Sequence, residues 1–166
     1  ENGVSLSETG GIVGGGVDFA GVRDTYLTLK LKDANVPITS AVNDTGFAIG
    51  AWVNYRTITY DGAANVPTSV FHLDGDSAGQ PILSIGSLSN GDVYNTNLGG
   101  VLKFSTQTIE TQKWHHVMAV YQSGRIYFYI NGELKGNEQL AGAITYGDGN
   151  RAGDIRVGYH RANDSA

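Results

Sequence analysis

Asn131-Gly132 sits between two runs rich in β-branched and aromatic residues, and it limits the fold of this chain more than any other feature. A two-residue hairpin turn of type I′ needs positive φ at both central positions, and Asn-Gly meets that need best. R-I-Y-F-Y-I leads into the pair from Arg125, and E-L-K follows it. A second turn, Gln122-Ser123-Gly124, joins Arg125–Ile130 to the preceding run Trp114–Tyr121. The sequence therefore predicts three consecutive antiparallel strands between Trp114 and Lys135, the third of them short.

The rest of the chain has the same period of two. Strands are expected at Tyr26–Leu31, Phe47–Tyr55, Ser69–Leu73, Pro81–Ile85, Asp92–Asn95, Val101–Ser105 and Asp154–His160. Phe47–Tyr55 is apolar enough to predict a strand buried on both faces. No window of ten residues carries a helical stripe, and Thr111-Gln112-Lys113 reads as a turn. Many short strands with Gly-rich turns indicate an all-β sandwich or barrel. Composition agrees: charged residues are only 16% and glycines number 24, the rest of the polar surface being Asn, Ser and Thr. By size scaling about two-thirds of the extended-chain surface can be buried, so one domain with a full core is expected over 1–166.

Several classes drop out on composition. A net charge of −5 disfavours a nucleic-acid or anionic-membrane partner. The absence of cysteine removes disulfides, thiol catalysis and thiolate metal sites. No apolar run approaches the twenty residues of a spanning helix, so membrane insertion is not expected. The sequence opens at Glu1, and its one methionine is Met118, which suggests a piece of a longer precursor. Gly10–Gly16 lacks the Lys-Ser or Lys-Thr that a phosphate loop requires and reads as a flexible approach to the first core strand.

The order of motifs resembles one family. G-G-G-V-D-F-A-G-V-R-D at Gly14–Asp24 is followed by F-A-I-G-A-W-V at Phe47–Val53 and W-H-H-V-M-A-V-Y at Trp114–Tyr121. I-Y-F-Y-I-N-G-E-L at Ile126–Leu134 and I-R-V-G at Ile155–Gly158 complete the series. Together they look like a LamG-like, concanavalin A-like lectin/glucanase domain of the laminin G superfamily. The resemblance implies a two-sheet antiparallel jelly-roll β-sandwich. It also implies extracellular binding of sugar or protein, often with one calcium ion at the rim. Within such a sandwich Trp52 and Trp114 are expected to fill the gap between sheets. His115 and His116, adjacent on a strand, point to opposite faces and are expected to be structural. Two family motifs, an aromatic-Pro-Phe opening strand and an Ile-Asp-Glu-Val closing strand, are not visible. Val4–Leu6 substituting, a longer polypeptide, or strand exchange with another chain would each supply the missing edge pairing.

Candidate chemistry is sparse. The five glutamates, Glu1, Glu8, Glu110, Glu133 and Glu138, lack the paired spacing of the glucanase strand. No Gly-x-Ser-x-Gly elbow is present, nor the Gln-x-His with Tyr-Lys of an alginate lyase. Calcium seeks six to eight hard oxygens. Asp74-Gly75-Asp76 offers two carboxylates in one loop, at the place where the resemblance puts a calcium aspartate. Asp148, Asn150 and Asp154 form a second oxygen-rich stretch, and plain Asp-Gly turns are the stronger reading of both, more so of the second. For sugar contact the candidates are Tyr94 and Tyr146 as stacking faces, with Asn95, Asn150 and Arg161 as polar partners. Tyr127 and Tyr129 share a strand face and read as structural. Asn43 and Asn163 match the glycosylation pattern of a eukaryotic secretory protein.

These features predict a non-catalytic extracellular or surface-exposed module that binds a glycan or a cell-surface protein, with or without the assistance of calcium. Two other readings remain. One is an assembly protein of a filament or virion that self-associates; the other is a polysaccharide hydrolase or lyase.

Overall fold

The computed structural model describes residues 4–20, 26–30, 46–56, 68–74, 81–87, 94–98, 101–104, 109–139 and 154–158. These form twelve strands and, among the described residues, no helix: β1 Val4–Ser7, β2 Gly16–Phe19, β3 Leu27–Lys30, β4 Phe47–Val53, β5 Thr68–Asp74, β6 Pro81–Ser87, β7 Tyr94–Leu98, β8 Val101–Phe104, β9 His115–Gln122, β10 Arg125–Ile130, β11 Glu133–Gln139 and β12 Asp154–Val157. They are ordered β11-β10-β9-β4 in a four-stranded sheet and β3-β12-β5-β6-β7-β8 in a six-stranded one, with β1-β2 separate. Every pairing is antiparallel. The fold is the expected all-β, antiparallel sandwich.

The β9-β10-β11 meander forms where the turn chemistry requires it. Ser123 and Gly124 have φ of 51° and 76°, and Asn131 and Gly132 have 53° and 82°, the paired positive values of type I′ turns. The first turn is tighter than expected, because Gln122 pairs with Arg125 and belongs to β9. β11 is a full strand of seven residues rather than a short return, with a register shift opposite Phe128 and Tyr129. That bulge bends the strand and lets it continue past the expected Lys135.

Alternation on β9 and β10 builds the core. His115, Val117, Ala119 and Tyr121 are buried, and Ile126, Phe128 and Ile130 are buried opposite them. Phe128, Ile126 and Val117 lose nearly all solvent contact, each contributing about 1.5–3 kcal/mol of apolar transfer. Ile109 and, on β5, Val70 are buried as well.

Three expectations are corrected here. β4 is an edge strand, exposed at Ala48, Gly50 and Trp52, rather than a strand buried on both faces. Trp52 and Trp114 are not core fillers: they are 48% and 36% exposed, because the inward positions of these strands belong to smaller residues. The Gly-rich stretch is not a loose approach but the turn of the β1-β2 hairpin, closed by Gly11 N–H donating to the Gly14 carbonyl at 2.9 Å.

That hairpin touches both large sheets. The Arg56 guanidinium, just past β4, binds the Asp18 carboxylate and donates to the Phe19 carbonyl. On the other side the Phe19 ring covers Gly158, just past β12, where a Cβ would stand 2.5 Å from the ring. Gly158 has φ of 74° and donates its N–H to the Val70 carbonyl. Glycine alone meets both conditions there.

Candidate functional site

The inward set on β9 and β10 fixes the outward set. His116, Met118 and Val120 alternate with the buried positions of β9, and Arg125, Tyr127 and Tyr129 with those of β10; all six are half-buried. Register extends this face sideways: Trp52 lies opposite His116, Gly50 opposite Met118 and Ala48 opposite Val120. On the other flank Tyr127 is level with Val120 and with Asn137, and Tyr129 with Met118 and Leu134. One side of the four-stranded sheet therefore carries Trp52, His116, Tyr129 and Tyr127 in a diagonal line toward Arg125. From standard strand spacing and rise, Trp52 and Tyr129 are about 12 Å apart at Cα, and Trp52 and Arg125 about 22 Å.

Trp52, His116 and Arg125 are each held by a neighbour. The Trp52 and His116 rings meet at 5.2 Å between centroids, tilted by 54°. Ala48 and Gly50 leave Trp52 as the one large outward side chain on β4. Asn131 grips the His116 backbone twice: its N–H donates to the His116 carbonyl at 2.8 Å, and its Oδ1 accepts the His116 N–H at 2.9 Å. With Oδ1 so engaged, Nδ2 is the atom 3.2 Å from His115 Nδ1, so Nδ1 accepts and Nε2 carries the proton. His115 Nε2 then donates to the Glu110 carbonyl at 3.2 Å. Buried His115 is thus a structural residue, as expected. At the far end, Arg125 Nη1 donates to Asn137 Oδ1 at 2.8 Å.

The electrostatics near this face are simple. Lys113, by hydrogen bond and then by charge, holds the Glu110 carboxyl below its ordinary value. Lys135 does the same to Glu133. Arg156 lies over the Tyr26 ring at 5.2 Å on the six-stranded sheet. Among the described residues, no three His, Asp or Glu side chains converge on a point where a metal ion would sit.

Of the expected site residues, Asp74, Tyr94 and Asn95 are described, and they belong to the six-stranded sheet. Tyr94 and Asn95 begin β7, Tyr94 level with Ser87 and Asn95 between Gly86 and Phe104 in the six-stranded sheet. Asp74 ends β5, level with Pro81. Asp76, Tyr146, Asn150 and Arg161 lie outside the described residues, as do Asn43, Asn163 and Asp148. The sequence reading missed the face formed by Trp52, His116, Tyr127 and Tyr129. Its signal was present: the two-residue turn at Ser123-Gly124 fixes register, and register groups Ile, Phe and Ile of β10 with Val, Ala and Tyr of β9 on the more apolar side.

The profile of the family described as the concanavalin A-like lectin/glucanases superfamily matches residues 24–165. No curated protein matches the chain. Among solved structures, domain 4 of AbnA, a GH43 extracellular arabinanase from Geobacillus stearothermophilus, in complex with arabinotriose, is similar. Its TM-score is 0.62 at 14% identity, over 96% of this chain and 68% of that one. The CBM40 of the Ruminococcus gnavus IT-sialidase, bound to α2,3-sialyllactose, gives 0.56 at 11% identity, over 80% and 73%. Domains LG4-5 of the mouse laminin α1 chain give 0.53 at 14% identity, over 85% of this chain and 35% of that one. At such identities the likeness is one of fold.

Proposed function

The chain belongs to the concanavalin A-like lectin/glucanases superfamily, and from that premise we propose that it is a non-catalytic carbohydrate-binding module. The observation that carries the reading is the outward face of the four-stranded sheet, where Trp52 is 48% exposed beside half-buried His116 and on the same side as half-buried Tyr129 and Tyr127. Aromatic faces offer an apolar surface to the C–H side of a sugar ring, and neighbouring amides and hydroxyls satisfy its oxygens. Asn137, Gln139, Gln122 and the two tyrosine hydroxyls supply such groups within the same face. A sheet presents them on rigid backbone, so little ordering accompanies binding. The likeness to domains solved with arabinotriose and with sialyllactose supports the same reading. An extracellular or surface setting goes with it.

Calcium enters this proposal at Asp74, which ends β5, together with Asp76 two residues on. Two carboxylates with backbone carbonyls and water would satisfy a hard cation. Added calcium is expected to raise the melting midpoint, and a chelator to reverse the rise. Equal midpoints in both conditions would remove calcium from the proposal.

Sugar binding itself is tested by native gels containing soluble polysaccharides and by a glycan array. Wild type is expected to be retarded by at least one polymer. Trp52→Ala is expected to lose about 2 kcal/mol of that affinity, as truncation of a central aromatic anchor does. Self-assembly into polymers with no glycan bound would favour the assembly reading instead. Release of oligosaccharides would overturn the non-catalytic assignment.

A further inference from the structure

Resting on that reading, we propose that the glycan bound across this face is acidic, and that Arg125, oriented by Asn137, reads a carboxylate on a sugar several rings from the one stacked on Trp52. The starting observation is how the described cations are partnered. Arg56, Lys113 and Lys135 each meet a carboxylate, from Asp18, Glu110 and Glu133. Arg125 meets instead the amide oxygen of Asn137. That bond fixes the plane of the guanidinium and uses one of its five N–H donors without cancelling its charge. A planar fork held in place is suited to a carboxylate, which it can bind through two parallel hydrogen bonds.

The surroundings agree. The described outward positions of β4, β9, β10 and β11 are Ala48, Gly50 and Trp52; His116, Met118, Val120 and Gln122; Arg125, Tyr127 and Tyr129; and Leu134, Asn137 and Gln139. None is acidic. The carboxylates of β11, Glu133 and Glu138, stand level with Ile130 and Ile126, which belong to the buried set. A chain with net charge −5 thus presents, among the described outward positions of this sheet, no acid and a cation at one end. The overall charge opposes a polyanion at long range, but it is screened within about 8 Å at physiological salt. Local recognition by Arg125 acts inside that distance. Because Trp52 and Arg125 are about 22 Å apart, both are engaged only by an oligomer.

The test uses affinity gels with matched acidic and neutral polymers: pectate against methyl-esterified pectin, and glucuronoxylan against arabinoxylan. Titration with sialyllactose and lactose adds a short acidic pair. Wild type is expected to prefer the acidic member of at least one pair by about tenfold, the usual weight of one charge-assisted contact. Arg125→Gln should abolish the preference while keeping the urea midpoint. Arg125→Lys, which keeps the charge and loses the fork, should restore only part of it. Preference for neutral polymers, with Arg125→Gln behaving as wild type, overturns this inference and leaves sugar binding standing. No retention of any glycan, in the gels or on an array, removes the sugar-binding reading and this inference with it.

Discussion

Replacing Asn131 separates the three tasks that one side chain performs at the β10-β11 turn. It adopts φ of 53°, accepts the His116 N–H and satisfies Nδ1 of buried His115. Asn131→Gly keeps the backbone conformation and loses both side-chain bonds. The lost bond to a strand N–H costs about 1 kcal/mol, and the orphaned imidazole nitrogen about another 1 kcal/mol at the low end of its range. Asn131→Ala loses the same bonds and adds a left-handed residue with a Cβ, at about 1–2 kcal/mol. Glycine's greater freedom in the unfolded chain takes back about 0.4–1 kcal/mol of that difference. The expected order is wild type, then glycine about 2 kcal/mol lower, then alanine about 3 kcal/mol lower. With a urea slope of about 2 kcal/mol per molar, alanine shifts the midpoint by about 1.5 M. Urea unfolding followed by tryptophan fluorescence measures all three. The glycan reading adds a second outcome, because His116 faces Trp52 and is held by this turn. Binding should weaken in both variants even well below the unfolding transition. An alanine variant within 0.5 kcal/mol of wild type, or more stable than the glycine variant, would refute the network.

Four further outcomes follow from the packing and the charges. Phe128→Ala empties a fully buried site between β9 and β11 and should cost about 3–5 kcal/mol in the same urea assay. Gly158→Ala places a Cβ 2.5 Å from the Phe19 ring at φ of 74°, so hydrogen exchange in Val4–Phe19 should accelerate. Arg56→Ala should speed the same exchange while shifting global stability by less than about 1 kcal/mol, since its pair with Asp18 is exposed. Glu110 and Glu133 are both held below the ordinary 4.5 by their lysines. A depressed carboxyl favours the folded state above the unfolded value, and that contribution fades as pH falls through the folded value. Melting midpoints should therefore decline below about pH 4.5, and the double variant Glu110→Gln, Glu133→Gln should show a shallower decline.

The limits of reading this sequence follow from the period of a strand. Two turns declared themselves, since Ser123-Gly124 and Asn131-Gly132 use conformations open to few residues, and from them the whole meander was legible. Strand ends were less so: β11 outran its expected length because a bulge at Phe128/Tyr129 absorbs the irregularity of Leu134-Lys135-Gly136. β1-β2 was obscured by its glycines, which read as slack when they in fact close a turn. The tryptophans went astray for a different reason. Trp52 and Trp114 lie in runs that are apolar on both faces, and size suggested the interior. Nothing in Phe47–Val53 taken alone separates Ile49, Ala51 and Val53 from Ala48, Gly50 and Trp52. The choice of face is made on the neighbouring strand β9, where His115-Val117-Ala119-Tyr121 is the set that packs.

That choice of face also decides what the chain can do. Had Trp52 pointed inward, as its size suggests, the outward side of the four-stranded sheet would keep two half-buried tyrosines and lose its exposed tryptophan. A sugar would then lack its exposed ring. Pointing outward, Trp52 gives up part of its burial: at 48% exposure about half of its apolar area stays in water, at about 25 cal/mol per Å². The core tolerates this because Phe128, Ile126 and Val117 fill the inner side without it. A large aromatic left half in water on a rigid sheet, about 22 Å from Arg125, adds little to folding. On the proposed reading, ring and guanidinium are spaced for a sugar ring and a carboxylate on one flexible chain.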